Sequence, residues 1–400
     1  MDISPLQDVR IRSAEPAATD WVARARALRP LIEAAGARTE AARELAPEVV
    51  QALHAAGLFR MLIPRDLGGA QLDLPTYLRV VEALAEADAN VAWCVGQGTG
   101  CSFTAAYLPP TAARTMFGDD PRAVLAWGPG PNGQAVPVSG GWCITGRWGF
   151  ASGSRHANWL GGMCPILDET GARRLDADGT PAIRTFVFPK QQANVIDDWH
   201  VVGLRGTGSD SYSVTDLFVP EAFCYLRTAP PPRPGPLYKL ALLHIYPPSF
   251  GAVALGIARA TLDDFVVMAR GKTPRGSQPM RENAAIQSML GHAEVRLRAA
   301  RMFLFQSVAD IWRDLEEGAA VSDAHELTLR MASTYAIQEA AAVVDVAYHE
   351  AGATAILQSN PFERRFRDVH AVAQQIQGRR ANFELAGQRL LGVPTGPLFQ

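Results

Sequence analysis

The chain is poor in the features that announce a partner or a compartment. Its 400 residues include five cysteines, Cys94, Cys101, Cys143, Cys164 and Cys224. An odd count with no Cys-x-x-Cys pair argues against a disulfide framework or a zinc site, and leaves buried thiols in a reducing cytoplasm as the expectation. The formal net charge is only −2, so nothing favours a nucleic-acid partner. No run of about 18 apolar residues occurs, which excludes a helical membrane span. The opening MDISPLQDVRIRSAEP has no apolar core of the kind a secretion signal needs, and none is expected. There is no tandem repeat, and no low-complexity tract beyond the proline-rich connector RTAPPPRPGPLY, Arg227 to Tyr238. A nicotinamide site is not visible either. The glycines of VGQGTGC, Gly96, Gly98 and Gly100, follow a helical pattern with no βαβ unit around them, so close packing or a helix break is expected there.

What is present is ample apolar content, 48% of the chain, and a length that suggests two or three domains. The texture changes twice. Residues 1–120 read as helices, with PEVVQALHAAGL and PTYLRVVEALAEADA each opening on a proline. Residues 121–228 are rich in Gly, Pro and alternating apolar positions. AVPVSGGWCITGRWGFAS reads as a hairpin, and RTFVFP and SYSVTDLFVP as further strands, which together suggest a small barrel or sandwich. Residues 229–400 return to long amphipathic helices suited to an antiparallel bundle. They comprise Lys239 to Arg270 with an interruption at Pro247-Pro248, then Met280 to Ile311, Asp323 to Ala351 and Pro361 to Leu391.

Two segments of the middle region carry most information: GRWGFASG, Gly146 to Gly153, and WHVVGLRGTGSDSYSVTDLFVP, Trp199 to Pro220. With IPRDLGG, Ile63 to Gly69, upstream and NPFERRFRDVHA, Asn360 to Ala371, downstream, they resemble the acyl-CoA dehydrogenase superfamily, and in detail its two-component flavin-dependent monooxygenases. The resemblance runs from about residue 20 to the end. It implies an α+β, mostly α fold: a helical N-terminal domain, a central small β-barrel and a C-terminal four-helix bundle. It also implies a homotetramer.

A flavin ring is a flat, largely apolar plate edged with hydrogen-bonding atoms, so it wants an aromatic wall and a few fixed donors. The resemblance assigns Trp127, Trp148, Phe150 and Trp199 to that wall. Gly153 permits close backbone approach. Ser152 is assigned a hydroxyl near the flavin N5, where it can influence how long a peroxide adduct survives. Thr207, Gly208 and Ser209 are assigned to the polar edge or phosphate, and Arg270 or Arg275 to the phosphate. Arg367 and Asp368 are expected to form a structural ion pair.

The resemblance fails at the acid–base groups. The dehydrogenase branch needs a carboxylate in the stretch that here reads VHAVAQQIQG, Val369 to Gly378, which has none. The monooxygenase branch has a histidine there, and Gln375 stands in its place; an amide cannot exchange a proton near neutral pH. Cys101 and Ser102 occupy the region of a second histidine. His370, His244, Tyr246 and His156 are the available substitutes. The leading expectation is a monooxygenase that uses reduced FMN or FAD delivered by a separate flavin reductase. It would oxygenate a small aromatic or heteroaromatic substrate through a flavin C4a-hydroperoxide. The alternatives are an FAD-dependent acyl-CoA dehydrogenase-like enzyme served by an electron-transfer flavoprotein, and a non-catalytic flavin-binding subunit.

Overall fold

A computed structural model describes residues 16–227 and 230–394. The expected boundary between residues 228 and 229, and the first 15 residues of the stretch read for a secretion signal, lie outside them. The N-terminal part comprises α1 (Pro16–Ala27), α2 (Arg29–Ala42), α3 (Pro47–Ala55), α4 (Leu74–Ala87), α5 (Ala89–Ser102) and the short α6 (Pro110–Ala113). Asp73 caps α4 by accepting the Thr76 N–H at 2.6 Å. Asp88 ends α4 and caps α5, accepting from the Asn90 and Val91 N–H groups, so a single carboxylate fixes the corner between the two helices. The glycines of α5 are there for packing. A Cβ on Gly96 would lie 2.8 Å from Ser249 Oγ, and one on Gly100 would lie 2.6 Å from the Tyr246 ring.

The middle region forms eight strands: β1 (Leu125–Trp127), β2 (Gly133–Val138), β3 (Gly141–Trp148), β4 (Trp159–Pro165), β5 (Ile183–Pro189), β6 (Asn194–Ile196), β7 (Ser211–Pro220) and β8 (Cys224–Tyr225). The β2–β3 hairpin is the one expected. The closed barrel is not formed: the strands make two open four-stranded sheets, ordered β1-β4-β5-β8 and β2-β3-β7-β6. Both edges of the first sheet are met by helical segments. β1 lies against α5, and Tyr225 of β8 shares a 2.7 Å hydroxyl–hydroxyl bond with Thr104 just beyond α5. Covering an edge in this way satisfies it as closure would.

Trp148 fills the space between the sheets. Its ring stacks on Tyr212 at 5.5 Å and its Nε1–H donates to the Met163 carbonyl at 3.2 Å. Glycines on three strands make room for it: a Cβ on Gly133, Gly146 or Gly162 would come within 2.5 Å of its ring carbons. Gly162→Ala should therefore overpack this core and lower the unfolding free energy by about 1–3 kcal/mol, read as a lower midpoint in a denaturant titration.

Among the described residues five helices follow: α7 (Leu242–Gly271), α8 (Ala284–Glu316), α9 (Asp323–Ala351), α10 (Phe362–Ala373) and α11 (Ala381–Leu390). α7 packs against α4, α5, α8, α9 and α10. Two expectations are corrected. The Pro247-Pro248 pair does not interrupt α7. Every residue from His244 to Ala258 is buried, and that packing holds the helix through the two missing backbone bonds. The expected helix from Pro361 to Leu391 is broken at Ala373, and a turn at Ile376–Gly378 leads into α11. The turn is pinned to α9 by Thr334, whose hydroxyl donates to the Gln377 carbonyl at 2.7 Å, and by Gln338, which donates to the Gly378 carbonyl. Among the described residues no helix is long and apolar enough to cross a membrane.

Candidate active site

The two middle-region motifs, about 50 residues apart in sequence, are stitched together in space. The Gly153 N–H donates to the Thr207 carbonyl at 2.8 Å. The Ser154 hydroxyl donates to the Gly208 carbonyl at 2.9 Å. Arg155 grips the buried Asp210 through Nε at 2.6 Å and Nη2 at 3.2 Å, a two-point pairing that fixes both chains. The joined loops are then clamped to helices. Gly206 N–H donates to Asn90 Oδ1 on α5 at 2.9 Å, and Leu204 N–H donates to Asp368 Oδ1 on α10 at 2.6 Å.

At the centre lies a file of hydroxyls. Trp93 Nε1–H of α5 donates to Ser152 Oγ at 2.9 Å. Ser152 and Ser209 are 2.8 Å apart, Ser209 and Thr207 are 2.7 Å apart, and Thr207 Oγ1 lies 2.8 Å from the Leu204 carbonyl. An aromatic file leaves the same tryptophan in the other direction. The Trp93 ring stacks on Phe250 at 4.4 Å, and Phe250 stacks on Tyr246 at 6.0 Å. Tyr246, Thr334, Gln377 and Asn382 then line a cavity of about 50 Å³. Gln377 Oε1 is buried beside it with no hydrogen-bond partner. Trp93, Phe250 and Gln377 were missed from sequence; no spacing connects position 93 to 152, and Gln377 was hidden by treating residues 361–391 as one helix.

Several expected residues fall elsewhere. Trp148 is enclosed between the sheets, so its ring offers no face to a ligand. Phe150 is 63% exposed, at a φ of 60°, and meets the half-buried Trp199 edge-on at 5.7 Å. Trp127 is 8% exposed at the end of β1, with the Arg227 guanidinium 6.0 Å above its ring. Gln375 lies at the start of the 376–378 turn and not on the helix. His370 pairs with Asp345 on the neighbouring α9 at 2.7 Å. His244 is committed on both nitrogens: Nδ1 accepts the Ala241 N–H at 3.0 Å, capping α7, and Nε2 faces Glu326 at 3.1 Å. Burial pushes His156 down to about 3, so it stays neutral. Cys101 Sγ lies 3.4 Å from Tyr246 Oη; burial raises the thiol to about 12 and the phenol well above its ordinary value. Neither can exchange a proton near neutral pH. Arg367 and Asp368 do not pair with each other. Arg367 binds Glu40 and Glu363 at 2.6 and 2.7 Å, while Asp368 holds the Leu204 amide.

Comparison with known proteins follows the same lines. Residues 20–109 match the acyl-CoA dehydrogenase N-terminal domain and residues 249–378 the acyl-CoA dehydrogenase C-terminal domain. The chain is 30% identical over 351 residues to indole-3-acetate monooxygenase of Pseudomonas putida, covering 88% of each. The chain belongs to the acyl-CoA dehydrogenase superfamily. Within it, the relatives are flavin-dependent monooxygenases. XiaF from Streptomyces sp., solved in complex with FADH2 and glycerol, matches with a TM-score of 0.87 and 26% identity, over 95% of this chain and 97% of its own. The 3-HSA hydroxylase from Rhodococcus sp. RHA1 matches with the same TM-score and identity, over 95% and 98%.

The superfamily's cofactor can be tested against these residues. The exposed Phe150 and the half-buried Trp199 stand beside buried hydroxyls that end at Ser152. That donor set fits a flat ring with a polar edge. The phosphate arginines fit less simply. Arg270 and Arg275 are exposed at the far end of α7. At ~1.5 Å per residue, Arg270 lies roughly 36 Å along the axis from Tyr246, so the chain's own fold does not bring them to the hydroxyl file.

Proposed function

We propose that the protein is the oxygenase component of a two-component flavin-dependent monooxygenase acting on a small aromatic or heteroaromatic substrate. One observation carries the choice against a dehydrogenase. Among the described residues, the cavity beside Tyr246 is walled by amides, hydroxyls, apolar side chains and Arg330, with no carboxylate. Removing a substrate α-proton needs a base within hydrogen-bond reach, and this wall offers none. Transfer of oxygen to an electron-rich ring does not require one.

Reduced FAD, or FMN, would lie with Ser152 and Gly153 at its polar edge, backed by the Thr207–Ser209 loop, and with Phe150, Trp199 and Trp127 as its apolar surroundings. When bound, it supplies the reaction with oxygen and the delivery of one oxygen atom. The chain's own part is to hold the ring, exclude water and orient the substrate along the Trp93–Phe250–Tyr246 file. Gln377, which lines the cavity with Tyr246, and Gln375, two residues before it in the chain, would position substrate by hydrogen bonds without moving protons. Arg270 or Arg275 would reach the flavin phosphate of a second copy in a homotetramer. A separate reductase would supply the reduced flavin, in a cytoplasmic setting.

The test is direct. Anaerobic titration with chemically reduced FAD should show saturable binding. Admission of oxygen with an indole or phenol panel should then give a product carrying one atom from labelled O₂. Reduction of tightly held oxidised FAD by an acyl thioester would overturn the reading.

A further inference from the structure

The hydroxyl file from Trp93 to Leu204 has ends of fixed polarity. The indole Nε1–H only donates and the Leu204 carbonyl only accepts. Between them are three hydroxyls with one proton each, all shielded: Ser152 is 9% exposed, Ser209 3% and Thr207 1%. Two arrangements keep the Ser152–Ser209 and Ser209–Thr207 bonds intact. In the forward one, Ser152 donates to Ser209, Ser209 to Thr207, and Thr207 to the Leu204 carbonyl. Ser152 then presents a free lone pair and no proton. In the reverse one, Thr207 donates to Ser209 and Ser209 to Ser152. Both Ser152 lone pairs are then filled, one by Trp93 and one by Ser209, and its proton points away from the file.

Reversal costs the protein little. The Leu204 carbonyl loses Thr207 but keeps the Trp199 Nε1–H at 3.0 Å. It is favourable only if something outside accepts the Ser152 proton, because an unpaired buried donor is expensive. Without an outside acceptor the forward arrangement is therefore the resting one. The file is a two-state rotor, and the chemistry placed before Ser152 selects its state.

A flavin differs between its redox forms in this respect. The reduced ring carries an N–H at N5, and the oxidised ring carries a lone pair there. We propose that Ser209 and Thr207 act as positioning residues that hold Ser152 as an acceptor, so that the site prefers reduced flavin over oxidised flavin. This rests on the flavin reading above. It assigns a role to two hydroxyls behind Ser152, and it lets the site release flavin once it is oxidised.

Two substitutions break the forward arrangement by different routes. Ser209→Ala removes the acceptor for the Ser152 proton, which then points outward. Thr207→Val removes the acceptor for the Ser209 proton, which turns to Ser152 and again drives the Ser152 proton outward. Thr207→Ser keeps the file. The measurement is the ratio of dissociation constants for oxidised and reduced FAD, with dithionite-reduced FAD titrated anaerobically into the full chain and FMN run in parallel. The ratio should fall about tenfold in Ser209→Ala and in Thr207→Val, close to the effect of one hydrogen bond, and stay at the wild-type value in Thr207→Ser. By linkage the bound flavin's two-electron potential should drop by ~30 mV. The ratio is internal to each variant, so a general loosening of the fold, which weakens both forms alike, leaves it unchanged. An unchanged ratio in Ser209→Ala and Thr207→Val, with both forms still binding, overturns the proposal. If the wild-type chain binds neither form, the flavin reading falls and the proposal falls with it.

Discussion

Ser152→Ala should uncouple oxygen consumption from product formation. Ser152 is the one hydroxyl of the file in contact with Trp93, and it sits on the loop that follows the exposed Phe150. In the proposed reading it is the protein group nearest the reacting edge of the flavin. Loss of a single preorganised hydrogen-bonding group at a reacting centre typically costs about 10²–10³ in rate. Here the loss should appear as a shift in outcome. Oxygen that would have reached substrate is released as hydrogen peroxide, and product per flavin oxidised falls by at least about tenfold. Peroxide and product are quantified in the same reaction. Binding of reduced flavin should persist, because Phe150, Trp199 and the 207–209 loop remain. Stability should fall modestly, by about 1–3 kcal/mol, since the Trp93 N–H is left buried without an acceptor. Full coupling in a variant that still binds reduced flavin would place Ser152 away from the reacting edge.

The sequence carried the family and the order of the regions, because those depend on local signals: helical periodicity, turn residues and short motifs. It did not carry the surroundings of the expected aromatic residues. Trp148 and Phe150 stand two positions apart on a strand and its exit. Strand alternation puts both on one face, but the positive φ at Phe150 turns it out to water while Trp148 enters the core. The surroundings of the acid–base candidates were illegible for a related reason. A single helix from Pro361 to Leu391 would carry both Gln375 and His370, whereas α10 ends at Ala373 and the turn after it brings Gln377 to the cavity. The polar file from Trp93 to Leu204 was out of reach of any pattern. It joins α5 to two loops more than 50 residues further on, and only the packing of α5 into those loops brings the five groups together. Arg367 and Asp368 were read as a pair because they are adjacent. On a helix, neighbours in sequence point in different directions, and each meets a different partner.

That separation gives Asp368 its own pH signature. It is 2% exposed and faces Asp88, Glu40 and the Arg364 guanidinium. Burial, reinforced by the like charge of Asp88, pushes it up to about 7, while the Leu204 amide and Arg364 pull the other way. A carboxyl near 3.9 in the unfolded chain and near 7 in the folded one binds its proton more tightly when folded. Its contribution to stability is therefore complete below about pH 4 and is lost as pH rises through 7, at up to ~1.4 kcal/mol per unit. Asp368→Asn keeps an oxygen for the Leu204 N–H and removes the charge. Its stability relative to wild type should rise steadily between about pH 4 and 7 and level off above, as read from urea midpoints across that range. Asp368→Ala removes the acceptor as well. It should cost about 1–3 kcal/mol below about pH 4, where the wild-type group is protonated in the folded and the unfolded chain alike and the comparison isolates the buried Leu204 donor. The loop it releases begins at Leu204, the terminus of the hydroxyl file, so Asp368→Ala should also weaken flavin binding, whereas Asp368→Asn should not. Equal losses of binding in the two variants would show that the charge, and not the hydrogen bond to Leu204, is what α10 contributes to the site.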